Sequence, residues 1–149
     1  MSDENIHALI APTEFWIGSL KKKLIILILG DALTLALVTL SGFLSHQTLA
    51  TAGVRILATY LPLLLSWSLA APLLGAYDLM RVLDGRQLWR PVWAMLLAAP
   101  LAGLLRGLWL GQVILPLFVV ILGGISALAM LVWRILFWAL SRRVSIIHG

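Results

Sequence analysis

Apolar residues gather in four long runs, roughly 24–44, 56–77, 91–110 and 113–138, and polar residues are largely confined to the stretches between them. Each run is about as long as the ~20 residues that carry a helix across ~30 Å of hydrocarbon. In that medium a helix satisfies every backbone donor and acceptor within its own segment. The pattern therefore predicts an all-α, polytopic membrane protein with four transmembrane helices. It divides the chain into an N-terminal segment over 1–23, a four-helix bundle over 24–140 and a tail over 141–149.

The charges between the runs alternate from dense to sparse. Lys21, Lys22 and Lys23 precede the first run, Arg81, Arg86 and Arg90 separate the second from the third, and Arg142 and Arg143 follow the fourth. The other two connections have only Arg55 and Arg106 nearby. Lysine and arginine in short loops stay on the cytoplasmic side. The expected topology has both termini and residues 77–90 inside, in a multi-pass protein of the inner (cytoplasmic) membrane.

Composition narrows the partners. With 62% apolar and 11% charged residues, the chain does not read as an ordinary soluble domain. Its net charge of +5 sits at helix ends, which fits anionic lipids of the bilayer better than nucleic acid. The absence of cysteine excludes thiol chemistry and disulfides. Lys21, Lys22 and Lys23 ahead of an apolar run imitate a signal peptide, and Ala50, Thr51 and Ala52 imitate a cleavage site. The run is too long for such a segment and is expected to be retained.

The first twenty residues read as a short interfacial helix. Pro12 interrupts a mildly apolar stretch, Thr13 can cap the helix, and Phe15 and Trp16 suit the head-group layer.

Asp31 is the most costly residue of the first span. A carboxylate at depth costs on the order of 3 kcal/mol on insertion scales, and each apolar neighbour returns about 0.5. Insertion still wins, but Asp31 must face the bundle and find a partner. Depth supplies one. Asp31 lies eight residues after Lys23, and Arg134 lies eight before Arg142 on a span that runs the other way. Both should sit about 12 Å into the cytoplasmic half. Such a pair would fasten the first span to the fourth, and the same carboxylate could serve as a proton or cation site.

At the opposite face, His46 ends the first span, Arg55 opens the second, and Arg106 lies ~24 Å along the third from Arg90. Together they could bind an anion, a lipid phosphate or the end of a substrate. The reading with fewer assumptions makes them interfacial residues. One histidine is no metal site, and no metal or other cofactor is expected. In the third span Ala99, Gly103, Gly107 and Gly111 recur every four residues as a small-residue stripe. That spacing suits close helix packing within the monomer or, second, a dimer interface. Trp67 and Trp133 lie deeper than the interfacial tryptophans and suit packing, or an apolar ligand such as a quinone or pigment.

Asp31, Ser45 with His46, Pro62, Trp67, Leu105 with Arg106, Phe118 through Val120, and Trp133 with Arg134 form a pattern. It resembles a small bacterial and archaeal membrane family catalogued as domain of unknown function three-zero-five-four. The likeness covers roughly 28–137; residues 77–90 and the N-terminal extension depart from it. It implies four helices and no established activity, and it strengthens Asp31, His46, Arg106 and Arg134 as candidates.

No catalytic triad, paired carboxylates in one span or phosphate-cradling loop is present in the sequence. An enzyme is not expected. The leading expectation is a non-catalytic scaffold or accessory subunit, as a homo-oligomer or in a larger membrane complex. The alternative is a small proton- or ion-coupled transporter or channel acting as an oligomer.

Overall fold

The computed structural model describes the backbone of residues 3–45 and 49–147, and the side chains of residues 20–45 and 53–142. Its long helices are α1 (Asp3–Ser45), α2 (Leu49–Leu73), α4 (Trp89–Leu110) and α5 (Pro116–Ile147). A one-turn helix, α3 (Leu79–Val82), and a 3-10 turn (Gly85–Gln87) fill the connection between α2 and α4. Within these helices the stretches Leu20–Ser45, Gly53–Leu73, Gly85–Leu110 and Pro116–Arg142 are long and apolar enough to cross a membrane.

The N-terminal segment corrects one expectation. No separate short helix forms, because α1 continues as one helix from Asp3. Proline removes one hydrogen bond without obliging the chain to turn, and Lys21, Lys22 and Lys23 are good helix formers that carry the helix onward. The side chains of Thr13, Phe15 and Trp16 lie outside the described residues. Near the start of α2, Gly53 departs from helical geometry, whereas Pro62 lies inside the helix and is buried. The fourth span begins later than the apolar run suggests, since Pro116 opens α5 and residues 112–115 are irregular. Proline suits that first helical turn.

The four long helices close a ring: α1 packs on α2 and α5, and α4 packs on the same two. What the ring encloses combines a row of small residues on α4 with a few large side chains, among them Trp67, Met95 and Met130. Ala94, Ala98 and Ala102, one turn apart on α4, are buried in a cluster with Leu63, Trp67, Ala70 and Ala71 of α2. The outside carries large aliphatic side chains. Leu29, Leu33 and Leu37 on α1 and Leu128 and Val132 on α5 are all more than half exposed. Such a surface is unstable against water and matched to lipid, where close backbone packing rather than apolar burial drives association.

The small-residue stripe of α4 packs inside this ring for three of its four members. A Cβ on Gly103 would lie 2.6 Å from Val119 Cγ2, and one on Gly107 would lie 2.9 Å from Ile114 Cγ1. Ala99 Cβ is 2.7 Å from where a Cβ on Gly123 of α5 would stand. Gly111 does not belong to that contact. It takes a left-handed conformation (φ 60°), ends α4 and has open space around it. The N–H of Gln112 then returns to Gly107 O at 3.0 Å, closing the helix end.

A candidate polar site between the first and last helices

The site begins with a turn. Gly75 at φ 65° ends α2, with Gly75 N–H donating to Pro72 O and Ala76 N–H to Ala71 O, both at 2.9 Å. This pair of bonds reverses the chain at the helix terminus, where carbonyls are left without intrahelical donors. Two arginines from other helices take up carbonyls of this turn. Arg90 Nη1 donates to Leu74 O at 2.7 Å, and Arg134 Nη1 donates to Ala76 O at 2.6 Å. A cation is favoured at that end by the helix dipole as well.

Arg134 completes the site with its other amino group. Nη2 donates to Asp31 Oδ2 at 2.7 Å, and both side chains are almost wholly buried, at 2% and 1% exposure. Trp67 Nε1 donates to the same carboxylate oxygen at 3.1 Å. The guanidinium also lies 5.9 Å from the Trp67 ring centre and 5.6 Å from that of Tyr77. Charge, hydrogen bonds and aromatic faces together offset the desolvation of both ions.

Trp133 stands beside the carboxylate without reaching hydrogen-bond geometry. Its Nε1, Asp31 Oδ1 and Arg134 Nε have no hydrogen-bond partner among the described residues. Its ring occupies the space over Gly30, where a Cβ would collide with Trp133 Cζ2. Tyr77, in the connection after α2, faces the same group. Burial, and then the Asp31 charge, push its phenol far above the usual range, so it stays a neutral hydroxyl.

The structure thus brings Asp31 and Arg134 together and adds Trp67, Tyr77, Trp133, Gly30 and the Ala76 carbonyl; of these the sequence had singled out only Trp67 and Trp133, for packing or an apolar ligand and not as partners of the pair. The depth of Trp67 and Trp133 and the glycine next to Asp31 were the available signals. The Ala76 carbonyl left none.

The connection 74–88 is tied to α5 a second time by Trp138, whose Nε1 donates to Leu83 O at 3.1 Å. Its carboxylates differ in use. Both cap the turn that follows, Asp78 accepting the backbone N–H of Met80 at 3.1 Å and Asp84 that of Arg86 at 3.0 Å, but only Asp78 also pairs with Arg81, at 2.9 Å.

At the opposite end, Arg106 Nε donates to Thr59 Oγ1 at 3.1 Å, and its guanidinium lies 4.6 Å from the Phe118 ring centre. Arg55 is exposed and within electrostatic reach of it. His46, the third member expected there, lies outside the described residues. Among the described residues no three His, Cys, Asp or Glu side chains come together.

Four long apolar helices around a buried ion pair define the class: a multi-pass membrane protein with four candidate spans. More particularly, the chain belongs to the family described as Protein of unknown function (DUF3054), whose model matches residues 28–137. That stretch contains Asp31, Trp67, Arg106 and Arg134. No curated protein and no solved structure matches the chain.

Proposed function

We propose that this protein is a non-catalytic scaffold or accessory subunit of the cytoplasmic membrane, acting as a homo-oligomer or within a larger complex. Both termini and the connection 74–88 face the cytoplasm. The observation that carries this reading is the closure of the Asp31–Arg134 pair. A transport carboxylate must exchange its proton or cation with water on each side in turn. Asp31 is instead held by Arg134 and Trp67 at 1% exposure. It lines neither the outer cleft beside Arg106 nor the small cavity beneath the 74–88 connection.

Such a pair serves to hold α1, α5 and the turn after α2 in one arrangement. The dense positive charge at this end supports the orientation, because Lys21, Lys22, Lys23, Arg81, Arg86 and Arg142 all belong to it. The two flanking spans, in α1 and α5, bury only 22% of their most apolar windows, which leaves wide faces for lipid or for neighbouring subunits.

Reconstituted liposomes provide the test. The protein should pass no protons or small cations above the empty-vesicle rate, and Asp31→Asn should change nothing. A pH-dependent flux that disappears in Asp31→Asn would establish the transporter reading instead.

A further inference from the structure

Arg106 is anchored on one side and unsatisfied on the other. Its Nε is engaged by Thr59, and its plane is fixed on Phe118. Its Nη groups meet no acceptor among the described residues. A guanidinium carries five N–H donors, so four remain to be matched.

The chain itself offers no carboxylate at this level. Asp3, Glu4 and Glu14 precede the first span, Asp31 is paired with Arg134, and Asp78 and Asp84 lie in the connection at the other end. Arg55 adds positive charge rather than relieving it. No carboxylate of the chain is placed to balance Arg106, which leaves its Nη groups open to an anion from outside.

The space before Arg106 has the shape for one. A cleft of about 430 Å³ opens between α1, α2, α4 and α5, within the ~300–1,000 Å³ typical of ligand sites. Phe118, Ile121, Leu122 and Ile125 of α5 form its apolar wall. The hydroxyls of Thr39, Ser41 and Ser45 on the α1 side all donate to carbonyls of their own helix. They therefore present acceptor oxygens and leave anion recognition to Arg106. Leu110, at the end of α4, lies four positions beyond Arg106, which is about 6 Å along the axis and places Arg106 near the head-group layer.

From this arrangement we propose that the cleft binds one anionic phospholipid, its phosphodiester on the Nη groups of Arg106 and one acyl chain along Phe118, Ile121, Leu122 and Ile125. Charge-assisted donation from a planar fork suits two phosphate oxygens. Hydroxyls on the lipid head would donate to Ser41 or Ser45.

The test uses the full chain in neutral detergent, titrated with dioleoylphosphatidylglycerol, dioleoylphosphatidylcholine or oleate while the unfolding temperature is followed. Phosphatidylglycerol should raise it saturably, and phosphatidylcholine should not. Arg106→Gln should weaken the apparent affinity about tenfold or more, in keeping with loss of a hydrogen-bonded charge. Gly42 lines the cleft with nothing within 4 Å of its Cβ position, so Gly42→Leu adds bulk at the cleft from a Cβ that meets no neighbour. That variant should keep its lipid-free stability and lose the response. Arg142→Gln, at the far end, should respond like the wild type. If Arg106→Gln and Gly42→Leu both titrate like the wild type, the proposal is overturned. A response to oleate with none to phosphatidylglycerol would overturn the phospholipid assignment in favour of a free carboxylate amphiphile.

Discussion

Asp31 on α1 and Arg134 on α5, 103 residues apart in sequence, share an ion pair of 2.7 Å that is sealed from both solvent and lipid. Arg134 is at the same time the donor to Ala76 O in the turn that follows α2. One side chain therefore joins two helices and that turn. Removing it would leave a buried carboxylate without its counter-ion and the Ala76 carbonyl without its donor.

The Trp67 indole is the third arm of this arrangement. Trp67→Phe preserves an aromatic ring and deletes the N–H that donates to Asp31 Oδ2. The expected loss is about 1–3 kcal/mol, the usual cost of an unmet bond to a buried charged group. Unfolding in mixed detergent measures it. Stability equal to the wild type would mean that the indole merely fills space.

Gly30 and Gly42 offer a paired comparison on α1. At Gly30 a methyl group collides with the Trp133 ring, so Gly30→Ala should destabilise by about 1–3 kcal/mol and alter the near-ultraviolet dichroism of the tryptophans. At Gly42 nothing lies within 4 Å, and Gly42→Ala should be neutral or stabilise by about 0.5–1 kcal/mol. Equal effects at both positions would contradict the placement of Trp133.

The α4 stripe separates packing from oligomerisation. Gly103→Leu should drive α4 from the start of α5, and Gly107→Leu from Gln112 and Ile114 just before it, each lowering thermal stability while the oligomeric state stays unchanged. Gly111→Leu meets no neighbour but needs a left-handed backbone, with an expected cost of about 1–2 kcal/mol. Light scattering coupled to size exclusion decides the issue. Dissociation of a dimer by Gly103→Leu would move the stripe to an intermolecular face.

Orientation is open to direct labelling, since the chain contains no cysteine. Met80 is 82% exposed in the connection after α2, and Gln112 is exposed beyond the end of α4. Met80→Cys should react with an impermeant thiol reagent only from the cytoplasmic side, and Gln112→Cys only from outside. Reaction of both from one side would rule out four spans.

The spans were legible because length and apolarity alone decide which segments can lie in hydrocarbon. The relation of Asp31 to Arg134 was legible for a similar reason: a charge is costly at depth, and equal distances from Lys23 and Arg142 put both at one level. The Ala94, Ala98 and Ala102 row was not, although it forms much of the α2–α4 contact. Alanine is favourable in any helix and carries no mark of the face it occupies. Nor could spacing assign Gly111, whose four-residue period continues the stripe although its backbone has already left the helix. The second bond of Arg134 depends on where the turn at Gly75 aims a carbonyl. Side-chain patterns do not encode that direction.

A double-mutant cycle on Asp31→Leu and Arg134→Leu, read by reversible unfolding in mixed detergent, tests the central claim most directly. Each single change leaves a buried charge unpaired and should cost about 3–5 kcal/mol, while the double variant should cost much less than the two together. Strict additivity would show that the two residues are not coupled, and the fastening of α1 to α5 would have to be sought elsewhere.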